Sequence, residues 1–316
     1  MITTNLFKEI KNILSSAQIE EFEAEAKLIL HLAGKISAED IALGKDIEED
    51  SAKKLLELAQ KRASSKAPIQ YILGKCEFMN LVFNVNENTL IPRDETELLV
   101  VEAEKIIEKF KECEKIKILD IGTGTGIISI LLCKKTNLSK IYGIEIQEDV
   151  ADMAKRSSEL NGLENKFEVI NINIKDVFTK IEPHSCDVVV TNPPYKKVDT
   201  GVKSTDKKQL ISRHEVECTL EDIISASSKL LNDLGEFYMV HRAERIVDIM
   251  CLLRKYKIEP KNIRFVHSRS GEKPSLILVR AVRNAREFLK IDEPLIIYKE
   301  NGEYTDEILK IYDKLK

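Results

Sequence analysis

The chain has 316 residues, of which 43% are apolar and 32% charged, with a net charge of −4. That balance supports a buried core in about two domains and excludes an intrinsically disordered chain. No run approaches the ~18 apolar residues of a membrane helix, and the first residues lack the basic-then-apolar order of a secretion signal.

Residues 5–65 read as helices alone. Apolar residues recur at helical spacing in NLFKEIKNILSS, EEFEAEAKLILHLAG and SAKKLLELAQKRASS. Gly34 is placed to end the second run and Ser51 to cap the third. These runs predict a recognition domain of three or four helices over 1–67. Residues 68–93 read as a β-hairpin linker, with alternation over Leu81-Val82-Phe83-Asn84-Val85 and a turn at Asn86-Glu87-Asn88. A helix is expected over 94–114.

Residues 94–316 form the third segment, and from 116 strands alternate with helices. The β-rich runs are KIKILDI (115–121), KIYGIEI (140–146), FEVINI (167–172), DVVVTN (187–192), GEFYMV (235–240), IRFVHS (263–268) and SLILVRA (275–281). Helical runs cover Ile127–Lys135, Glu148–Leu160 and Leu220–Leu231. Alternation of this kind predicts an α/β fold: a doubly wound, seven-stranded sheet with helices on both faces, preceded by a small all-α domain and a hairpin. The last two runs are close together, which suits an antiparallel strand added at the edge.

Two motifs carry chemistry. Residues 118–126 run from a strand into Gly122-Thr123-Gly124-Thr125-Gly126 and then a helix. The glycines permit a tight turn and close approach of a ligand. Asp120 at the strand end would repel a pyrophosphate and suits a cationic amino-acid ligand. Glu145 ends the next strand about twenty residues on, where a carboxylate can accept both ribose hydroxyls. This pairing fits S-adenosylmethionine better than a dinucleotide. A glycine turn without a ligand is the plainer alternative.

The second motif is Asn192-Pro193-Pro194-Tyr195, directly after an apolar strand. The prolines stiffen the backbone and remove two amide donors. The Asn192 side-chain oxygen and the Pro193 carbonyl can accept both N–H groups of a planar NH2, and Tyr195 can stack on its π-system. Such a nitrogen is a poor nucleophile, and holding both hydrogens on acceptors aims it at an electrophile. A rigid turn closing a strand is the alternative.

These residues resemble the Asn-Pro-Pro-Tyr class of S-adenosylmethionine-dependent N-methyltransferases. Residues 1–125 resemble the release factor glutamine N5-methyltransferases, on the helical front, PIQYILGKCEFMNLVFNV and Leu90-Ile-Pro-Arg-Asp-Glu-Thr-Glu97, with Asp94 where a proline is usual. Residues 118–316 resemble the bacterial valine-tRNA adenine-N6-methyltransferases, on GIEIQEDVADMAKRSSELNGLENK (143–166), SRHEVECTLEDIISASSKLL (212–231), MVHRAERIVDI (239–249), KIEPKNIRFVHS (257–268) and PLIIYKENGEYTDEI (294–308). The two resemblances imply a fusion of two family members with a Rossmann-like methyltransferase sheet.

The resemblance implies S-adenosylmethionine as cofactor, held by Asp120, Gly122, Thr123, Gly124, Gly126 and Glu145. Asn173 aligns with a family Asp that contacts the adenine, and Asp176 is the fallback. The acceptor would be held by Asn192, Pro193, Pro194 and Tyr195. Lys196 replaces a usual aromatic residue. Lys196, Arg213, His241 and Arg242 are candidate RNA contacts, with surface ion pairing to Glu215 and Glu244 an equal alternative for the arginines and histidines. The expected reaction is methylation of adenine N6 in tRNA. Methylation of glutamine N5 in the Gly-Gly-Gln loop of a release factor and an inactive binding module are the alternatives. Charge leans the same way: residues 1–115 carry 16 Lys and Arg against 22 Asp and Glu, whereas residues 196–290 carry 20 against 13. The six scattered cysteines form no CxxC pair and the five histidines show no ligand spacing, so a reduced, cytoplasmic protein without metal or membrane attachment is expected.

Overall fold

The computed structural model describes residues 1–65, 67–89, 116–135, 140–195 and 218–314, with 91, 96, 98–101 and 103 between them. The chain divides into two compact units, Met1–Glu77 with Asn84–Glu87 and Phe78–Phe83 with Asn88–Lys316.

The first unit is helical. Its elements are α1 (Thr3–Ser16), α2 (Phe22–Leu28) continuing into a π-helical turn (Ile29–Ala33), α3 (Ala38–Leu43), α4 (Glu49–Ser65) and α5 (Ile69–Leu73). Leu6, Ile10 and Leu14 repeat every four residues on one face of α1 and are fully buried. They join Ala26, Ile29, Leu30, Ala52, Leu55 and Ala59 in one core. Gly34 ends the second helical run, as expected. Ser51 does not cap the third. The helix begins two residues earlier, with Glu49 and Asp50 in its first turn, where carboxylates favour the helix N-terminus.

The hairpin pairs β1 (Lys75–Phe78) with β2 (Leu81–Asn84). Its strands turn at Met79-Asn80, at φ 52° and 58°, while the expected turn near Asn86–Asn88 follows the second strand, with Glu87 and Asn88 in it. Two consecutive left-handed residues make a two-residue hairpin loop, and Met-Asn lacks the glycine that usually marks one.

Among its described residues the second unit is a nine-stranded sheet flanked by helices. Its strands are β3 (Lys117–Ile121), β4 (Lys140–Glu145), β5 (Phe167–Asn171), β6 (Cys186–Thr191), β7 (Leu231–Arg242), β8 (Ile258–His267), β9 (Pro274–Arg283), β10 (Lys290–Ile291) and β11 (Leu295–Ile296). The helices are α6 (Ile127–Lys135), α7 (Glu148–Leu160), α8 (Leu220–Leu230), α9 (Ile246–Lys255) and α10 (Asp306–Lys314). The spatial order is β10-β8-β9-β7-β6-β3-β4-β5, with β11 also on β8. All seven expected runs are strands, and the expected sheet is extended by two short ones. The helix expected over 94–114 lies outside the described residues, apart from 96, 98–101 and 103, which are helical.

One detail differs from expectation. β9 is antiparallel but lies between β7 and β8, not at the edge. Its run Leu276-Ile277-Leu278-Val279 is buried, and so continuous an apolar stretch needs neighbours on both sides. Among the described residues no helix is long and apolar enough to cross a membrane.

Packing is tight where the site will form. A Cβ added at Gly143 of β4 would lie 2.7 Å from Phe167 Cε2 and 2.8 Å from Thr123 Cγ2. Gly143→Ala is therefore expected to lower stability by about 1–3 kcal/mol, measured by urea unfolding.

Candidate active site

Parallel pairing sets the site. β3 lies between β4 and β6, with Asp120 opposite Gly143 and Val190, and Ile121 opposite Ile144 and Thr191. The strands run in one direction, so the segments after β3, β4 and β6 leave from the same edge, with the order reversing about β3 as ligand sites of such sheets require.

The segment after β3 is the glycine turn. Gly122, Gly124 and Gly126 sit at φ +72°, +59° and +84°, a region that other residues enter only with strain. The N–H groups of Gly122 and Thr123 donate to the Ile144 carbonyl at 2.9 and 3.0 Å, and that of Gly126 donates to Thr123 O at 2.9 Å. A Cβ on Gly122 or Gly124 would meet nothing within 4 Å, whereas one on Gly126 would lie 2.8 Å from Phe167 Cε1. Gly126 thus serves packing, and Gly122 and Gly124 border open space.

Two carboxylates flank this turn. Asp120 is fully buried. Its Oδ2 accepts the hydroxyls of Thr123 at 2.7 Å and Ser129 at 2.9 Å, and its Oδ1 has no hydrogen-bond partner among the described residues. Burial pushes its pKa up to about 6, against the opposing pull of the two hydroxyls. Glu145 ends β4. Its Oε2 accepts the Gly124 N–H at 3.1 Å, and its Oε1 accepts that of Gln147 at 3.0 Å. Burial raises its pKa too, opposed by these backbone donors. Asn173 is half-buried beyond β5, with its Oδ1 accepting the Lys175 N–H at 3.0 Å. Asp176 is exposed.

The segment after β6 is Asn192-Pro193-Pro194-Tyr195. The Thr191 hydroxyl donates to Ile121 O at 2.9 Å, which ties this segment to the base of the glycine turn. Asn192 is held on both sides: its Nδ2 donates to Thr96 Oγ1 at 3.4 Å, and its Oδ1 accepts the Tyr195 hydroxyl at 2.6 Å. Pro193 is buried, and Pro194 and Tyr195 are half-buried. Tyr195 meets the His241 ring edge-to-face, with centroids 5.2 Å apart, and the Arg242 guanidinium lies 5.9 Å from its ring centre.

His241 is fully buried at the end of β7, so surface ion pairing is ruled out for it. Arg242 beside it is exposed. Lys196 and Arg213 lie outside the described residues. Among the described residues no cluster of His, Cys, Asp or Glu is arranged to hold a metal ion.

Sequence reading missed three residues. Thr191 ties the segment to Ile121, 70 residues away in the chain, and Thr96 accepts from Asn192 across 96 residues, pairings that no local pattern reveals. Asn171 donates from its side chain to the carbonyls of Glu145 at 2.8 Å and Ile146 at 3.1 Å, closing β5 onto the end of β4. Its only signal was an amide at a strand end.

Comparisons with known proteins agree with this geometry. Residues 101–256 match the Methyltransferase small domain, and residues 5–74 match the PrmC N-terminal domain. The chain is 37% identical over 197 residues to the release factor glutamine methyltransferase of Fusobacterium nucleatum, covering 62% of this chain and about half, 49%, of that relative's length. With the protein of the same name from Flavobacterium psychrophilum it is 34% identical over 208 residues, 66% of this chain and 68% of the relative. The tRNA1(Val) (adenine(37)-N6)-methyltransferase of Porphyromonas gingivalis is 26% identical over 197 residues, 61% of this chain and 76% of the relative. A solved structure of a predicted O-methyltransferase from Agrobacterium tumefaciens superposes with a TM-score of 0.52 at 19% identity, covering 63% of this chain and 88% of that one, and shows the same fold.

Asp120 has a measurable signature. Its folded pKa near 6 exceeds the usual Asp value of 3.8, so the folded state penalises the carboxylate. The stabilising contribution is complete below about pH 4 and is lost as pH rises through 6. Relative to Asp120→Asn, the native chain is expected to lose on the order of 2–3 kcal/mol of stability between pH 4 and 6.5, read by urea unfolding across pH. Equal slopes for the two proteins would contradict the assignment.

Proposed function

The chain belongs to the S-adenosylmethionine-dependent N-methyltransferase family that contains the release factor glutamine methyltransferases, and on that premise we propose that its acceptor is a glutamine side-chain nitrogen, N5, in the Gly-Gly-Gln loop of a peptide chain release factor. The relatives and the match of residues 5–74 support that acceptor over tRNA. The observation that carries the reaction class is the Thr191–Ile121 bond, which seats the Asn192 segment beside the glycine turn.

The residues present fit the cofactor. Among the described residues Asp120 keeps a buried oxygen without a partner, and Gly122 and Gly124 leave space that side chains would occupy. Asp120, Gly122, Thr123, Gly124, Glu145 and Asn173 are the residues assigned to hold it, and Gly126 shapes the turn by packing on Phe167. An unpaired carboxylate oxygen favours a cationic ligand, and Glu145 keeps lone pairs for hydroxyl donors. S-adenosylmethionine supplies a methyl carbon made electrophilic by a sulfonium.

Asn192, Pro193 and Tyr195 are assigned to the acceptor. A carboxamide nitrogen has its lone pair delocalised into the carbonyl. Asn192 Oδ1 and the Pro193 carbonyl accept its two hydrogens, which turns the lone pair toward the electrophile and favours the positive charge that develops. Thr96 and Tyr195 keep the Asn192 amide from rotating, so the oxygen is preorganised. No tuned base is required, because a protonated amide nitrogen sheds its proton to water readily.

A second reading is favoured by one feature. β8 runs parallel to β7, so the loop at 268–273 lies at the same edge as the acceptor residues. Among the described residues Arg242, Arg269 and Lys273 have no ion-pair partner there, which suits a phosphate backbone and an adenine N6 acceptor. Purified chain with labelled S-adenosylmethionine, offered a release factor and total tRNA side by side, separates the two. Label on the release factor glutamine is the expected result. Label confined to tRNA as N6-methyladenosine would replace that acceptor with the second reading.

Asn192→Ala should lower kcat by 10²–10³-fold, about 3–4 kcal/mol, with cofactor affinity unchanged by calorimetry. Near-full turnover would remove Asn192 from its role.

A further inference from the structure

We propose that His241 is a positioning residue for methyl transfer: it fixes the Tyr195 ring and, through the Tyr195 hydroxyl, the side-chain oxygen of Asn192. The proposal rests on the reading of Asn192 and Tyr195 as the acceptor grip.

His241 is the penultimate residue of β7 and is wholly buried. Its Nδ1 accepts the backbone N–H of Arg242 at 2.9 Å. An imidazole nitrogen that accepts cannot carry the proton, so the neutral ring holds it on Nε2. Burial, with Arg245 and Arg242 nearby, pushes the pKa down to about 4, so the ring is neutral at ordinary pH. Nε2 has no hydrogen-bond partner among the described residues. A buried N–H left without an acceptor is unfavourable, and a leucine would fill the same space without that cost. What imidazole adds is a flat ring locked to the backbone.

That ring faces Tyr195. The two meet edge-to-face at 5.2 Å, an arrangement that aligns the positive rim of one ring with the negative face of the other. The Arg242 guanidinium lies within cation–π range of the same tyrosine, at 5.9 Å. Both partners come from the end of β7, while Tyr195 comes from the segment after β6. Parallel pairing of these strands, Thr191 with Met239, sets the distance between them. The tyrosine ring is thus held from the neighbouring strand, and its hydroxyl holds Asn192 Oδ1 at 2.6 Å. His241 contributes a neutral aromatic contact, and Arg242 adds a weaker cation–π contact to the same ring.

The test uses the full chain with His241→Asn, which keeps an acceptor for the Arg242 N–H and removes the ring, and His241→Phe, which keeps a ring. Arg242→Ala, at an exposed position, removes the guanidinium without opening the core. Three quantities are read: cofactor affinity by calorimetry, kcat and KM for the methyl acceptor, and the Tyr195 ring resonance in ring-labelled protein, assigned with Tyr195→Phe. His241→Asn should lower kcat about tenfold, leave acceptor KM and cofactor Kd within twofold, and shift and sharpen the Tyr195 signal as the ring flips faster. His241→Phe should recover most of kcat, and Arg242→Ala should give a smaller change of the same kind. Unchanged kcat in His241→Asn, or a parallel fall in cofactor affinity, overturns the proposal. So does an unaltered Tyr195 signal in both His241→Asn and Arg242→Ala, a measurement that needs no acceptor. If the native chain methylates neither acceptor, the functional reading fails while the Tyr195 signal still decides the positioning role.

Discussion

Parallel hydrogen bonding of β3 with β4 on one side and β6 on the other is the constraint from which the site follows. It aligns Ile121 with Ile144 and with Thr191. Once that register is set, the Gly122 and Thr123 amides reach the Ile144 carbonyl, Gly124 reaches Glu145, and Thr191 reaches Ile121. Each of these bonds closes a segment onto the neighbouring strand end. A one-residue slip would turn every side chain to the opposite face and break all of them together.

The site stores electrostatic cost. Two carboxylates, Asp120 and Glu145, are buried on either side of the glycine turn, and burial raises the pKa of both. Glu145 is compensated by two backbone N–H groups. Among the described residues Asp120 is compensated on one oxygen only, by Thr123 and Ser129. A fold selected for stability alone would place an uncharged residue there. Retaining the acid makes sense where a cationic ligand balances it, and the family's cofactor carries positive charge.

On the acceptor side the same economy applies to orientation. A side-chain amide free to rotate would expose its NH2 as often as its oxygen, and only the oxygen can take hydrogens from an acceptor nitrogen. Thr96 receives the Asn192 NH2, and Tyr195 donates to its oxygen, so the amide has one orientation. The prolines that follow hold the backbone of the segment stiff.

Much of this was legible in the chain itself. The seven strand runs, the helical front, the glycine turn with its acid partner and the Asn-Pro-Pro-Tyr segment are local patterns of spacing and residue type, and such patterns suffice to identify elements and candidate chemistry. Register, pairing order and burial are not local. The place of β9 between β7 and β8, the Met79-Asn80 turn, the start of α4 ahead of Ser51, and the anchoring of Asn192 by Thr96 emerged only in three dimensions. The same holds for His241, which its polar neighbours marked as a surface group and which lies fully buried in β7, opposite Ile277 of β9. The sequence by itself determined which residues can make strands, turns and acceptors. Tertiary structure alone decided which of them meet, because hydrogen bonds between segments far apart in the chain depend on how strands pair and not on how residues are spaced along one.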